Sequence, residues 1–188
     1  MSMSEGEASY SSSFVFKDAI DKKSQEELRD YLYKFAFNLQ EAHEYMSILD
    51  SCADIESKNR TEFIQRIFIM SLLSISLSIR KITDRSSERS IRKLERILPS
   101  SGAISEYSDK IEPIYANYEK FLNKFVAHQD KIGIHDALGH IPDLKIMHKD
   151  LQTLREYYLL LCNEICRGYI GIDEDGTYFG FEINKLLN

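Results

Sequence analysis

The sequence predicts an all-α fold, and three observations carry that expectation. Breakers are scarce, with 3 Pro and 8 Gly in 188 residues, while 43% of the chain is hydrophobic and 29% charged, a composition typical of helix-rich proteins. Apolar residues recur at spacings of three and four through four long stretches. Helix-start signals precede two of these, Ser24-Gln25-Glu26-Glu27 and Pro142-Asp143. The expected architecture is an antiparallel helical bundle of four long helices plus a short basic helix, with a small C-terminal β-hairpin.

Residues 1–13 are rich in Ser, Glu and Gly and predict a disordered tail. Ser24 to Glu27 has the capping-box form, so helix one should begin at Ser24 and carry Leu28, Leu32, Phe35, Leu39, Ala42, Met46 and Leu49 on one stripe to about Ser51. Helix two, from about Lys58 to Thr83, is apolar nearly all round and should be central, with Ser71, Ser74, Ser76 and Ser78 permitting close approach of its neighbours. A short basic helix follows from about Ser87 to Leu98, stopped by Pro99.

Helix four should run from about Ser108 to His128, with Pro113 tolerated near its first turn. The last helix should open at Pro142-Asp143 and reach about Tyr169, with a seam of Leu144, Met147, Leu151, Leu154, Tyr158, Leu161 and Ile165. Two β-prone runs around Asp175-Gly176 then signal the hairpin. The chain thus divides into a tail over 1–13, a bundle over 14–169 and an appendix over 170–188, in one domain able to bury roughly 70% of its unfolded surface without a metal or disulfide staple.

A formal net charge of -6 and a pI near 5.4 argue against coating nucleic acid through overall electrostatics. Locally, Arg80, Lys81, Arg85, Arg89, Arg92, Lys93 and Arg96 form a basic cluster, partly offset by Asp84, Glu88 and Glu95. Cys52, Cys162 and Cys166 are odd in number and show no CxxC, which suggests reduced thiols and a cytoplasmic protein. No signal peptide is expected, and the charge-free run Ile67 to Ile79 is too short to span a membrane.

Two constellations could carry chemistry. Tyr115, Tyr118, Phe121, Leu122 and Phe125 can line one buried face, while Asn123, His128 and Asp130 fall at or beyond that helix's end, where polar groups can meet a ligand. Arg80 and Asp84 are i, i+4 neighbours at the end of helix two, and an Arg in so apolar a helix is aimed either at a helix C-terminus or at an anion. His128, His135, His140 and His148 cluster, yet no pair has the helical i, i+4 spacing that would give a metal two ligands on one face, so neither metal nor cofactor is expected.

The order Arg80-Lys81-Ile82-Thr83-Asp84, then Ser90-Ile91, then Asn123-Lys124-Phe125-Val126-Ala127-His128-Gln129-Asp130-Lys131 resembles the HEPN superfamily, in particular its abortive-infection branch. The likeness covers roughly residues 28–165. It implies a helical bundle, a homodimer, and a defence or toxin-type protein, with an antitoxin protein and RNA or nucleotide as the partners to expect. Many members are metal-independent RNA-cleaving proteins that use an Arg, a following polar residue and a His. By position the polar residue is Asn123 and the histidine His128, while Leu122 stands where the family has Arg.

Metal-free RNA cleavage needs one group to take the 2'-hydroxyl proton, one to protonate the leaving oxygen and a cation for the phosphorane. The candidates for catalysis are His128 and Asn123, carried over by position, and Arg80, which with Lys124 is available to replace the missing charge; Lys124, Asp130 and Asp84 are the candidates for binding phosphate or supporting it. With leucine at the arginine position, the alternative is a non-catalytic helical dimerisation or binding module.

Overall fold

A computed structural model describes residues 12–55, 61–83, 91–98, 101–127 and 139–171, and these are mostly helical. The helices are α1 (Lys22–Ala53), α2 (Glu62–Thr83), α3 (Ile91–Ile97), α4 (Gly102–Glu106), α5 (Glu112–Ala127) and α6 (Leu144–Ile165), with a π-helical turn at Tyr107–Ile111 joining α4 to α5. Strands β1 (Ser12–Phe16) and β2 (Cys166–Gly171) pair antiparallel.

The N-cap of α1 is Asp21 rather than Ser24. Its carboxylate accepts the Ser24 N–H at 3.1 Å and the Ser24 Oγ–H at 2.6 Å. Both residues are good caps, but a carboxylate is the stronger acceptor and Ser24 donates its own hydroxyl proton to it, so the helix starts at Lys22. These bonds, the Ser24 hydroxyl's foremost, hold the Asp21 carboxyl below its usual pKa.

Helix begins at Gly102, six residues before the expected Ser108, capped by Ser101, whose hydroxyl accepts the Ile104 N–H at 3.3 Å. Pro113 therefore lies well inside a helical stretch. It has no N–H, and its ring crowds the carbonyl four residues back; the chain answers with the π turn, in which the Glu112 N–H reaches back to the Tyr107 carbonyl.

Asp143 caps α6 by accepting the Ile146 N–H at 2.9 Å. The helix ends at Ile165, short of the expected Tyr169, because Cys166 turns extended and the β-prone segment after it finds β1 as a partner, Phe14 opposite Tyr169 and Ser12 opposite Gly171. Ser12 and Ser13 thus belong to a strand rather than the tail. Phe14 and Phe16, two apart and so on one face, enter the core. Residues 1–11 and the hairpin around Asp175-Gly176 lie outside the described residues.

The long helices are stitched pairwise. Glu41 of α1 accepts from Ser78 Oγ at 2.6 Å and meets Lys81 Nζ at 3.8 Å on α2. Phe35 of α1 packs on Tyr157 and Tyr158 of α6 with ring centroids 6.0 and 5.4 Å apart. On the short basic helix α3, Arg96 pairs with Glu27 of α1.

The expectation of a central α2 is corrected. It buries Leu72, Ile75, Ile79 and Ile82 with Ser71, Ser76, Ser78 and Thr83, but leaves Phe63, Met70 and Leu77 exposed. Small residues occupy the covered side, where the hydroxyls of Ser76 and Thr83 bond back to the carbonyls of Leu72 and Ile79. The whole helix, unlike the run Ile67–Ile79 alone, is long and apolar enough to cross a membrane by length and composition, although 33% of its most apolar stretch is buried.

Candidate functional site

On α5, Phe121 and Leu122 are fully buried, Asn123 is exposed and Lys124 half-buried. Those states follow from helical periodicity: positions 118, 121, 122 and 125 share the covered face, and Asn123 falls off it. Leu122, at the position where the family resemblance calls for Arg, is a core residue. His128, Asp130 and Asp84 lie outside the described residues.

Arg80 is half-buried one turn before the end of α2. The Tyr107 hydroxyl donates to the Thr83 carbonyl at 2.9 Å, which pins the start of the π turn to that end. Because α5 packs along α2, it must run back from there toward the start of α2. Sixteen helical residues separate Tyr107 from Asn123, roughly 24 Å of rise. Within one chain, Arg80 therefore lies toward the opposite end of the α2–α5 contact from Asn123 and Lys124.

Facing α5, Asp150 of α6 is buried and clamped by two donors on one oxygen: Asn117 Nδ2 at 3.1 Å and the Tyr118 hydroxyl at 3.0 Å. Burial raises its pKa, against the lowering effect of both hydrogen bonds. Burial, with Asp150 next to it, also pushes the Tyr118 phenol far up. The cluster is an interhelical tie.

A different group of ionisable side chains meets where α1 packs on α6. His43 and Asp50 are seven residues apart on α1, as are His148 and Arg155 on α6, so each pair shares a face with about 10 Å of rise between its members. His148 Nε2 lies 3.1 Å from Asp50 Oδ1. His43 Nε2 is buried without a hydrogen-bond partner, and its pKa is lowered by burial first, then by Arg155 and by His148. Two imidazoles and a guanidinium thus feel one another across the α1–α6 contact, with Asp50 orienting one of them. Imidazole and guanidinium groups spread along one face suit a phosphate-bearing ligand, and two imidazoles, one of them held by a carboxylate, are groups that can move protons. The sequence reading singled out His148 within the histidine cluster but passed over His43; the matching seven-residue spacings on two helices were the signal that could have found it.

Further along the same helices, Tyr31, Tyr107 and Tyr157 are buried, with Tyr107 and Tyr157 rings 5.8 Å apart. Burial raises the pKa of both Tyr31 and Tyr157 above its usual value, reinforced at Tyr31 by Tyr157 and Tyr107 and at Tyr157 by Tyr107 and the carboxylates of Glu164 and Glu106. Glu164 Oε1 accepts the Ala103 N–H at 3.1 Å. The three cysteines are free and buried, and burial pushes the Cys162 thiol up to about 12 and Cys166 to about 11, values of protonated packing groups rather than reactive thiolates. Among the described residues no set of three His, Cys, Asp or Glu side chains is placed to hold a metal ion. No protein-family model matches the sequence, and comparison with curated proteins and with solved structures returns no match.

Proposed function

We propose that the chain is a HEPN-like helical protein of the defence or toxin type, its long helices closed as an antiparallel bundle, that binds RNA or a nucleotide through a phosphate held by His43, His148 and Arg155. The observation that supports this reading is that His43 feels the charges of both Arg155 and His148 on the α1–α6 face, so that an anion there gains from all three against the opposing charge of Asp50. Binding rather than cleavage at the α5 tip is the better account, because Leu122 is packed in the core and Arg80 stands at the far end of the helices from Asn123.

The test is a titration of a labelled single-stranded RNA by fluorescence anisotropy at about 50 and about 200 mM salt. The double variant Arg155→Gln, His148→Gln should weaken binding by about tenfold or more and flatten the salt dependence. Equal affinity in variant and natural protein would remove this reading.

A second reading, a metal-independent ribonuclease, is favoured by one feature: burial lowers the His43 pKa on the face that also carries the His148–Asp50 pair, so that two imidazoles of the kind acid–base catalysis uses share it. It expects cleavage in the presence of a chelator that disappears in His43→Ala.

A further inference from the structure

The pairing of α1 with α6 fixes what His43 faces. Asp50 meets His148 at 3.1 Å, while Phe35, earlier on α1, packs on Tyr157 and Tyr158, later on α6, so the two helices run antiparallel. Seven residues back from Asp50 and seven on from His148 therefore come His43 and Arg155, opposite one another. The His43 Nε2 is buried and has no hydrogen-bond partner among the described residues. The nearby carboxylates of its own helix are engaged elsewhere: Glu44 accepts from Gln40 Nε2 at 3.0 Å, Glu41 turns to Ser78 and Lys81 of α2, and Asp50 holds His148. The charged groups acting on the ring are Arg155 and His148, both of α6.

A proton on that ring would make a buried cation without an acceptor, set against a guanidinium. Accordingly its pKa is held below the usual value, by burial first, then by Arg155 and by His148. An anion on the same face reverses the balance, because its charge offsets those of Arg155 and His148 through a medium that screens poorly, whether or not it touches the ring. His148 differs, since Asp50 already serves as its acceptor. We propose that a phosphate group and a proton bind to this face together: as Arg155 and His148 take the anion, the His43 ring takes up a proton from solvent, so the face holds phosphate in mildly acidic conditions and releases it as the pH rises. This coupling rests on the phosphate reading above and supplies the regulation of that same site, with the anion as ligand and the proton as its co-ligand.

The test is a titration of labelled single-stranded RNA into the full chain by fluorescence anisotropy, at fixed salt and from about pH 5.5 to about pH 8. Phosphodiesters carry no titratable proton in that range, so any proton linkage belongs to the protein. Above the pKa of the unbound His43 the Kd should rise by up to about tenfold per pH unit. His43→Gln should flatten that rise, whereas His148→Gln should weaken binding yet keep it. A second readout needs no variant: in NMR spectra of the natural protein the His43 ring should titrate at higher pH with RNA bound than without it. A Kd independent of pH, a rise that survives in His43→Gln, or a His43 titration that RNA leaves in place would overturn the coupling while the phosphate site stands. RNA that fails to bind at any pH would overturn both.

Discussion

At Asp150 burial wins over two hydrogen bonds and raises the carboxyl pKa above 3.8. The folded chain then keeps a proton that the unfolded chain has already lost, so stability falls as pH rises from about that value through the folded pKa. His43 works the other way. Its folded pKa lies below 6.5, so the unfolded chain takes up a proton first on acidification, and stability is lost as pH drops through that region. Thermal unfolding measured from about pH 3.5 to 7.5 should separate the two. Asp150→Asn, which keeps an oxygen acceptor for Asn117 or Tyr118, should abolish the decline above pH 3.8, and His43→Gln should abolish the acid-side loss below 6.5. Profiles that coincide with the natural protein's would show that neither charge state is coupled to folding.

Among the elements, α5 decides what a charge at Leu122 would meet. Leu122→Arg would force a guanidinium into a fully buried place, at a cost of several kcal/mol, whereas Asn123→Arg on the exposed side should change stability by about 0.5 kcal/mol or less. The expected result is a large drop in urea midpoint for the first and almost none for the second, with neither creating cleavage; a stable Leu122→Arg would show that the α5 face is looser than its burial implies. The periodic seam of α6 was readable because 3.6 residues per turn stamps itself on the order of apolar residues. Its cap at Asp143 was equally readable. The cap of α1 was not, since Asp21 and Ser24 both carry capping oxygens and only the geometry of their mutual bond settles which one acts. The start of the α4–α5 stretch was hidden by Pro113, which reads as a helix start until a π turn shows how it can be accommodated inside.

For the whole molecule, the β1–β2 pair joins residues 150 or more positions apart and closes the N-terminal strand over the end of α6. Phe14 and Phe16 enter the core through that strand, and Arg29 of α1 lies 5.7 Å from the Phe16 ring centroid. Each Phe→Ala change should cost about 3 to 5 kcal/mol, measured by urea unfolding. A cost under about 1 kcal/mol for both would mean the strand contributes little to the native fold.

Helical class, the long apolar seams and the exposure of Asn123 were determined by the sequence itself, because they depend on the spacing of residues along one helix. Tertiary structure alone decided which faces meet. It put Arg80 and Asn123 at opposite ends of α2 and α5, gathered His43, Asp50, His148 and Arg155 from two helices a hundred residues apart, and left one side of an apolar α2 open. Periodicity records that a face is apolar; which neighbour covers it, and in what register, depends on contacts between distant segments whose pairing no local pattern encodes.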